Sequence, residues 1–97
     1  MELIQISALL IAQAEKLSVS LPSLRWHLFG SILWASRPND IDLLVIYEQL
    51  IEPKLVREAL REISLTLPLD ILFMTEKEVI ETQFLSQWPT LQLFPIQ

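Results

Sequence analysis

The chemistry available to this chain rests on its aspartates. Against nine Glu there are only three Asp, at Asp40, Asp42 and Asp70. Asp42 interrupts the apolar run Ile41-Asp42-Leu43-Leu44-Val45-Ile46, and Asp70 interrupts Leu69-Asp70-Ile71-Leu72-Phe73. Asp is depleted in strands because its short side chain competes for the backbone. An unpaired carboxylate in a buried strand costs several kcal/mol. A sequence that keeps two such placements uses them. Asp40 and Asp42 are two residues apart, which on an extended chain turns both to one face. If the strand carrying Asp70 lies beside theirs, three carboxylates share a patch and raise one another's pKa. A divalent cation removes that penalty. Mg²⁺ takes oxygen ligands, commonly one or two carboxylates completed by substrate phosphates. With one His and no Cys, zinc has little to bind.

Gly30, the only glycine, is followed by Ser31. A glycine lets backbone approach a phosphate with no Cβ in the way. Ser31 adds a hydroxyl and a backbone N–H at the start of an expected helical turn, a favourable place for an anion. Arg37, in the loop that follows, is a further candidate phosphate contact. The pattern therefore reads as a phosphate cradle at Gly30 and Ser31 beside a metal site at Asp40, Asp42 and Asp70.

These residues must be held by secondary structure. Residues 2–18 read as a helix, with Leu3, Ile6, Leu10 and Leu17 near one stripe. Ser20, Pro22 and Ser23 break it. Residues 25–29 read as a strand ending at Gly30, and Ser31 as the cap of a short turn through Ala35. Residues 41–47 form a second strand. Glu52-Pro53 starts a helix to about residue 64, striped by Leu55, Val56, Ala59, Leu60 and Ile63. Its charges, Lys54 to Glu62, read as a solvated face, and Lys54 and Glu58 stand at ion-pair spacing. Residues 67–74 form a third strand. Thr75 and Glu78 make a capping box that opens a helix to about Gln87. Pro89 stops it, and Leu91 to Pro95 form a short strand or docking segment.

The alternation predicts an α/β, more strictly α+β, fold: a small mixed sheet flanked by helices in one domain over residues 1–97. The helical crossover makes the second and third strands parallel, and the short connection makes the first and second antiparallel.

The segment Leu28-Phe29-Gly30-Ser31, eight residues, then Asp40-Ile41-Asp42-Leu43 resembles the signature of the DNA polymerase β-like nucleotidyltransferase superfamily. Asp70 resembles its third carboxylate. The short length is similar to that of the minimal nucleotidyltransferases of bacteria and archaea. The resemblance covers roughly residues 25–74. It implies two Mg²⁺ and transfer of a nucleoside monophosphate from an NTP, most simply AMP from ATP. It implies catalytic and metal-binding roles for Asp40, Asp42 and Asp70, with Asp70 also the base. Gly30, Ser31 and Arg37 would bind the nucleotide. Some minimal nucleotidyltransferases pair with HEPN-type toxins and modify or neutralise them, so a Tyr, Ser or Thr of such a partner is one acceptor the resemblance allows.

Composition narrows the rest. The 97 residues are 52% hydrophobic and 20% charged, which excludes disorder. The net charge of −5 argues against strong direct nucleic-acid binding. No apolar run approaches the roughly 20 residues of a membrane span. The start, Met1-Glu2, lacks the basic region of a secretory signal. Together with the missing cysteines, this predicts a cytoplasmic protein. The broad apolar face of residues 3–17 and the tail residues Trp88, Leu91, Leu93 and Phe94 exceed what one small core needs, so a homodimer or a protein partner is expected. Two other functions fit the same residues. One is a catalytically silent nucleotidyltransferase-fold module that neutralises a partner by binding. The other is a dimeric enzyme acting on a small molecule.

Overall fold

The computed structural model describes residues 2–35 and 40–95. The chain runs α1 (Leu3–Ser18), β1 (Arg25–Phe29), a 3₁₀ turn (Gly30–Leu33), β2 (Ile41–Tyr47), α2 (Glu52–Ala59), α3 (Arg61–Thr66), β3 (Leu69–Thr75), α4 (Glu76–Thr82), α5 (Phe84–Gln87) and β4 (Thr90–Phe94). The strands form one mixed sheet in the order β3-β2-β1-β4. β1 pairs antiparallel with β2 and β4, and β2 pairs parallel with β3. The α+β fold, the parallel pair and the antiparallel pair all follow the sequence pattern. The tail takes the strand alternative, as β4.

Alternation along the strands sorts side chains to two faces. One face carries Trp26, Leu28, Ile41, Leu43, Val45 and Leu93, which join Ile6, Leu10 and Ala14 of α1 and Val56 of α2 in the larger core. Trp26, Leu10, Leu28, Leu43 and Val56 are wholly buried, each worth about 1.5–3 kcal/mol against exposure. The other face carries Leu44 and Ile46, covered by Val79 of α4 and Phe84 of α5. Phe84 meets Phe29 edge-on, ring centroids 5.0 Å apart. Helices therefore cover both faces, but α4 and α5 cover only part of the second.

Local chemistry sets the helix starts. The Glu2 N–H donates to Gln5 Oε1 at 2.9 Å before α1. At α4 the capping box is complete: the Thr75 N–H donates to Glu78 Oε1 at 2.9 Å and the Glu78 N–H to Thr75 Oγ1 at 3.2 Å. Each such cap contributes about 1 kcal/mol.

Two helices depart from expectation. The helix expected from residue 52 to 64 is divided at Leu60, whose φ of −94° and ψ of 3° leave the helical region. Leu60 itself is fully buried. The helix expected to reach Gln87 is divided at Gln83, a non-glycine residue in the left-handed region at φ 55°. The turn there brings Phe84 onto the sheet. Lys54 and Glu58 form no ion pair; the ion pairs among the described residues are Arg25–Glu76 and Lys77–Glu81. None of the described helices is long and apolar enough to cross a membrane.

Candidate active site at the open end of the sheet

The expected site residues converge where β1 ends and β2 and β3 begin. Phe29, the last residue of β1, stands opposite Asp42 of β2, and Asp42 stands opposite Asp70 of β3. Neighbours in register present their side chains to the same face. That face is the one bearing Leu44, Ile46 and Met74, which α4 and α5 cover. Those helices stop short of the Asp42–Asp70 end, where Asp70 is exposed and Asp42 half-buried. The result is a carboxylate pair on a rigid parallel ladder, open to solvent on one side.

Gly30 is fitted to this pair. Its φ is +77°, a conformation costly to residues with a Cβ. A Cβ on Gly30 would lie 2.2 Å from Asp42 Oδ2, where ordinary contact begins at 3.4 Å. The Asp42 carboxylate thus occupies the space that the absence of a side chain leaves. The Gly-Ser pair and the Asp-x-Asp pair, eight residues apart in sequence, are in direct contact through Gly30 and Asp42.

Electrostatics agree with the geometry. Burial pushes the Asp42 carboxyl above the usual carboxylate range, and the negative charges of Asp70 and Asp40 push it further. All three aspartates therefore act on one point, although Asp40 does so from outside β2, exposed in the segment before it. Asp40 directly precedes β2, which begins at Ile41 as the sequence predicts.

Ser31 is also placed differently from expectation. It lies inside the 3₁₀ turn rather than capping it. Its carbonyl accepts from the N–H groups of Trp34 at 3.1 Å and Ala35 at 2.7 Å. Arg37 lies outside the described residues. His27, in β1, is buried. Its Nδ1 stands 3.4 Å from Thr90 Oγ1 and its Nε2 has no partner. Burial, and secondarily the charge of Arg25, hold its pKa below the ordinary value. Trp34 is 80% exposed just after the turn.

Whether these residues fit a metal depends on the donor set. No group of three or more His, Cys, Asp or Glu among the described residues is gathered tightly enough to enclose a metal ion. The set is instead a carboxylate pair in register with a third carboxylate nearby. That suits Mg²⁺, which completes its octahedron with waters and phosphate oxygens. Burial first, and then the charges of Asp70 and Asp40, raise Asp42, and a bound cation would offset the charge repulsion. A closed all-protein cage, as a structural zinc needs, does not fit.

Sequence reasoning missed two features. Glu52 is buried, and its Oε1 accepts from the Glu48 N–H at 3.1 Å, closing the loop after β2. Beside Asp70, an open groove is lined by Lys54, Arg57 and Arg61. Their i, i+3, i+7 spacing was the available signal, in a chain with seven cations in all. No model of a known protein family matches this chain, and no curated protein matches it.

Proposed function

We propose that this protein is a Mg²⁺-dependent nucleotidyltransferase that moves a nucleoside monophosphate, AMP from ATP, onto a hydroxyl acceptor. The observation that carries the reading is the contact of Gly30 with the Asp42 carboxylate, itself in register with Asp70. A turn glycine and two strand carboxylates are brought to one point at some energetic cost to the fold. Burial, and then the like charges of Asp70 and Asp40, raise Asp42, and a cation with a polyphosphate would offset the repulsion among them.

Asp42 and Asp70 supply the carboxylate oxygens for two Mg²⁺, with Asp40 as the third contributor. Bound there, the ions neutralise charge on the α-phosphate and on the departing pyrophosphate. Gly30 and Ser31 are assigned to the phosphates, and the missing Cβ of Gly30 keeps the Asp42 carboxylate close beside them. Arg37 is assigned to the same phosphates on the resemblance alone. Asp70, the more exposed of the two register partners, takes the proton of the acceptor hydroxyl. The acceptor oxygen forms a bond to the α-phosphorus, the bond from that phosphorus to the β-phosphate bridging oxygen breaks, and pyrophosphate leaves.

The acceptor is a protein hydroxyl, with a Tyr, Ser or Thr of a HEPN-type partner as the specific form the resemblance favours. An NTP donor and the absence of cysteine fit a cytoplasmic protein. The second reading, a catalytically silent module that neutralises its partner by binding, is favoured by large apolar side chains left in water. Ile4, Val19, Leu50 and Leu65 are each about 80–90% exposed, beyond what scattered surface residues require.

Calorimetric titration of a non-hydrolysable ATP analogue separates the two. Mg²⁺-dependent binding by the wild type, lost in Asp42→Asn, is expected. Binding that is indifferent to Mg²⁺ and to Asp42→Asn overturns the metal–nucleotide site. No binding at all leaves the silent module as the better reading.

A further inference from the structure

An open groove of about 900 Å³ runs between α2–α3 and the start of β3, a size within the range of ligand sites. Lys54, Arg57 and Arg61 line it in one row. None of the three has an ion-pair partner among the described residues, whose pairs are Arg25–Glu76 and Lys77–Glu81. Arg57 lies over the Phe73 ring at 4.9 Å from its centroid, which fixes where its guanidinium stands. The groove holds three of the chain's seven cations and, in Glu58 and Asp70, two of its twelve carboxylates. On a molecule of net charge −5 it is the place where positive charge collects.

Its other lining is apolar. Leu50 and Leu65 belong to the same groove and are 90% and 81% exposed. A small inorganic anion would satisfy the cations and leave both leucines wet. A nucleic acid would bring phosphates, but no aromatic side chain lines the groove for a base to stack on. A peptide bearing carboxylates and apolar side chains satisfies both. β3 is the edge strand of the sheet, so a chain lying in the groove passes directly beside Asp70.

The geometry points to this groove as the docking site for an acidic, apolar-anchored segment of a partner protein, which presents its acceptor hydroxyl at Asp70. Docking itself is independent of nucleotide; only the role given to Asp70 rests on the nucleotidyltransferase reading. The cations guide and align the segment, and the leucines hold its apolar side chains.

Fluorescence anisotropy tests this with a labelled twelve-residue peptide of alternating Glu and Leu around one Tyr. The controls are the same peptide with Lys for Glu, and a single-stranded oligo-dT of matched charge. Titrations without Mg²⁺ or nucleotide keep the result independent of the metal site. The wild type is expected to bind the acidic peptide and not its Lys counterpart, and to weaken as salt rises. Lys54→Glu with Arg61→Glu, both at exposed positions, is expected to weaken binding about tenfold or more. Lys54→Gln with Arg61→Gln carries the test if the charge reversal disturbs folding, with a smaller loss expected. Equal binding of the two peptides, affinity unchanged in both double variants, or tighter binding of oligo-dT overturns the proposal.

Discussion

Replacing Gly30 with Ala separates what this position does for the fold from what it does for the site. The backbone there has φ +77°, and a Cβ in that region costs about 1–2 kcal/mol. For a domain of this size that lowers the unfolding midpoint by about 4–16 °C. The steric conflict is a different matter. The nearest atom to the added Cβ is Asp42 Oδ2 at 2.2 Å, followed by Asp42 Cγ at 3.1 Å. An oxygen at the end of a side chain can rotate away cheaply, so the contact adds little to the stability loss. It must nonetheless retreat by about 1 Å to reach ordinary contact, and a misplacement of that size is worth about 100-fold in a reacting group. Gly30→Asn distinguishes the two effects, because Asn tolerates the left-handed region while still carrying a Cβ. Thermal unfolding with and without Mg²⁺·ATP reads both. Gly30→Ala is expected to be less stable than Gly30→Asn, and both are expected to lose stabilisation by Mg²⁺·ATP. Gly30→Ala stabilised by Mg²⁺·ATP as fully as the wild type would refute the claim that the glycine makes room for the Asp42 carboxylate.

Three further outcomes follow from the same physics. The Asp42 carboxyl is raised above its unfolded value, so the native state binds the extra proton, and Asp42 destabilises the fold as pH rises through its window. Asp42→Asn should therefore be more stable than the wild type at pH 7 without ligand, with the difference shrinking as pH falls toward about 4 and gone below it; a difference that does not vary with pH contradicts this. His27 is shifted the other way: the unfolded chain takes up its proton first, so its contribution to stability is whole above about pH 6.5 and declines below it. Urea titrations of wild type and His27→Gln should differ in pH slope only below that point. Thr75→Ala removes the cap on α4 and should lower stability by about 1 kcal/mol, measured by urea denaturation, while Mg²⁺·ATP binding persists.

Much of this arrangement is legible in the residues. β1 and β2 have the bounds their sequence predicts because both are rich in strand-forming residues and have sharp ends, Gly30 for one and the polar segment before Ile41 for the other. Asp42 and Asp70 are legible because a carboxylate inside such a run has no folding reason to be there. Their register could be inferred only as far as the parallel pairing of β2 and β3, and the helix between those strands carries that signal. The breaks at Leu60 and Gln83 are not legible. Leu60 continues an amphipathic stripe, and Gln83 is an ordinary helix residue in sequence that takes a left-handed conformation just before Phe84 docks on the sheet. Ser31 precedes a turn in sequence as a cap would, but the turn begins one residue earlier, at Gly30. Lys54, Arg57 and Arg61 read as a solvated helix face because sequence does not show that β3 stands across from them.

Transfer of label from ATP tests the central claim most directly. Wild type, Asp42→Asn and Asp70→Asn are incubated with Mg²⁺ and an extract of the cells the chain comes from, with ATP labelled at the α-phosphorus in one set and the γ-phosphorus in the other. The account predicts that wild type moves the α label onto protein, that the γ label leaves with pyrophosphate, and that both variants move neither. Transfer of the γ label to protein, or α-label transfer that survives in Asp70→Asn, contradicts it.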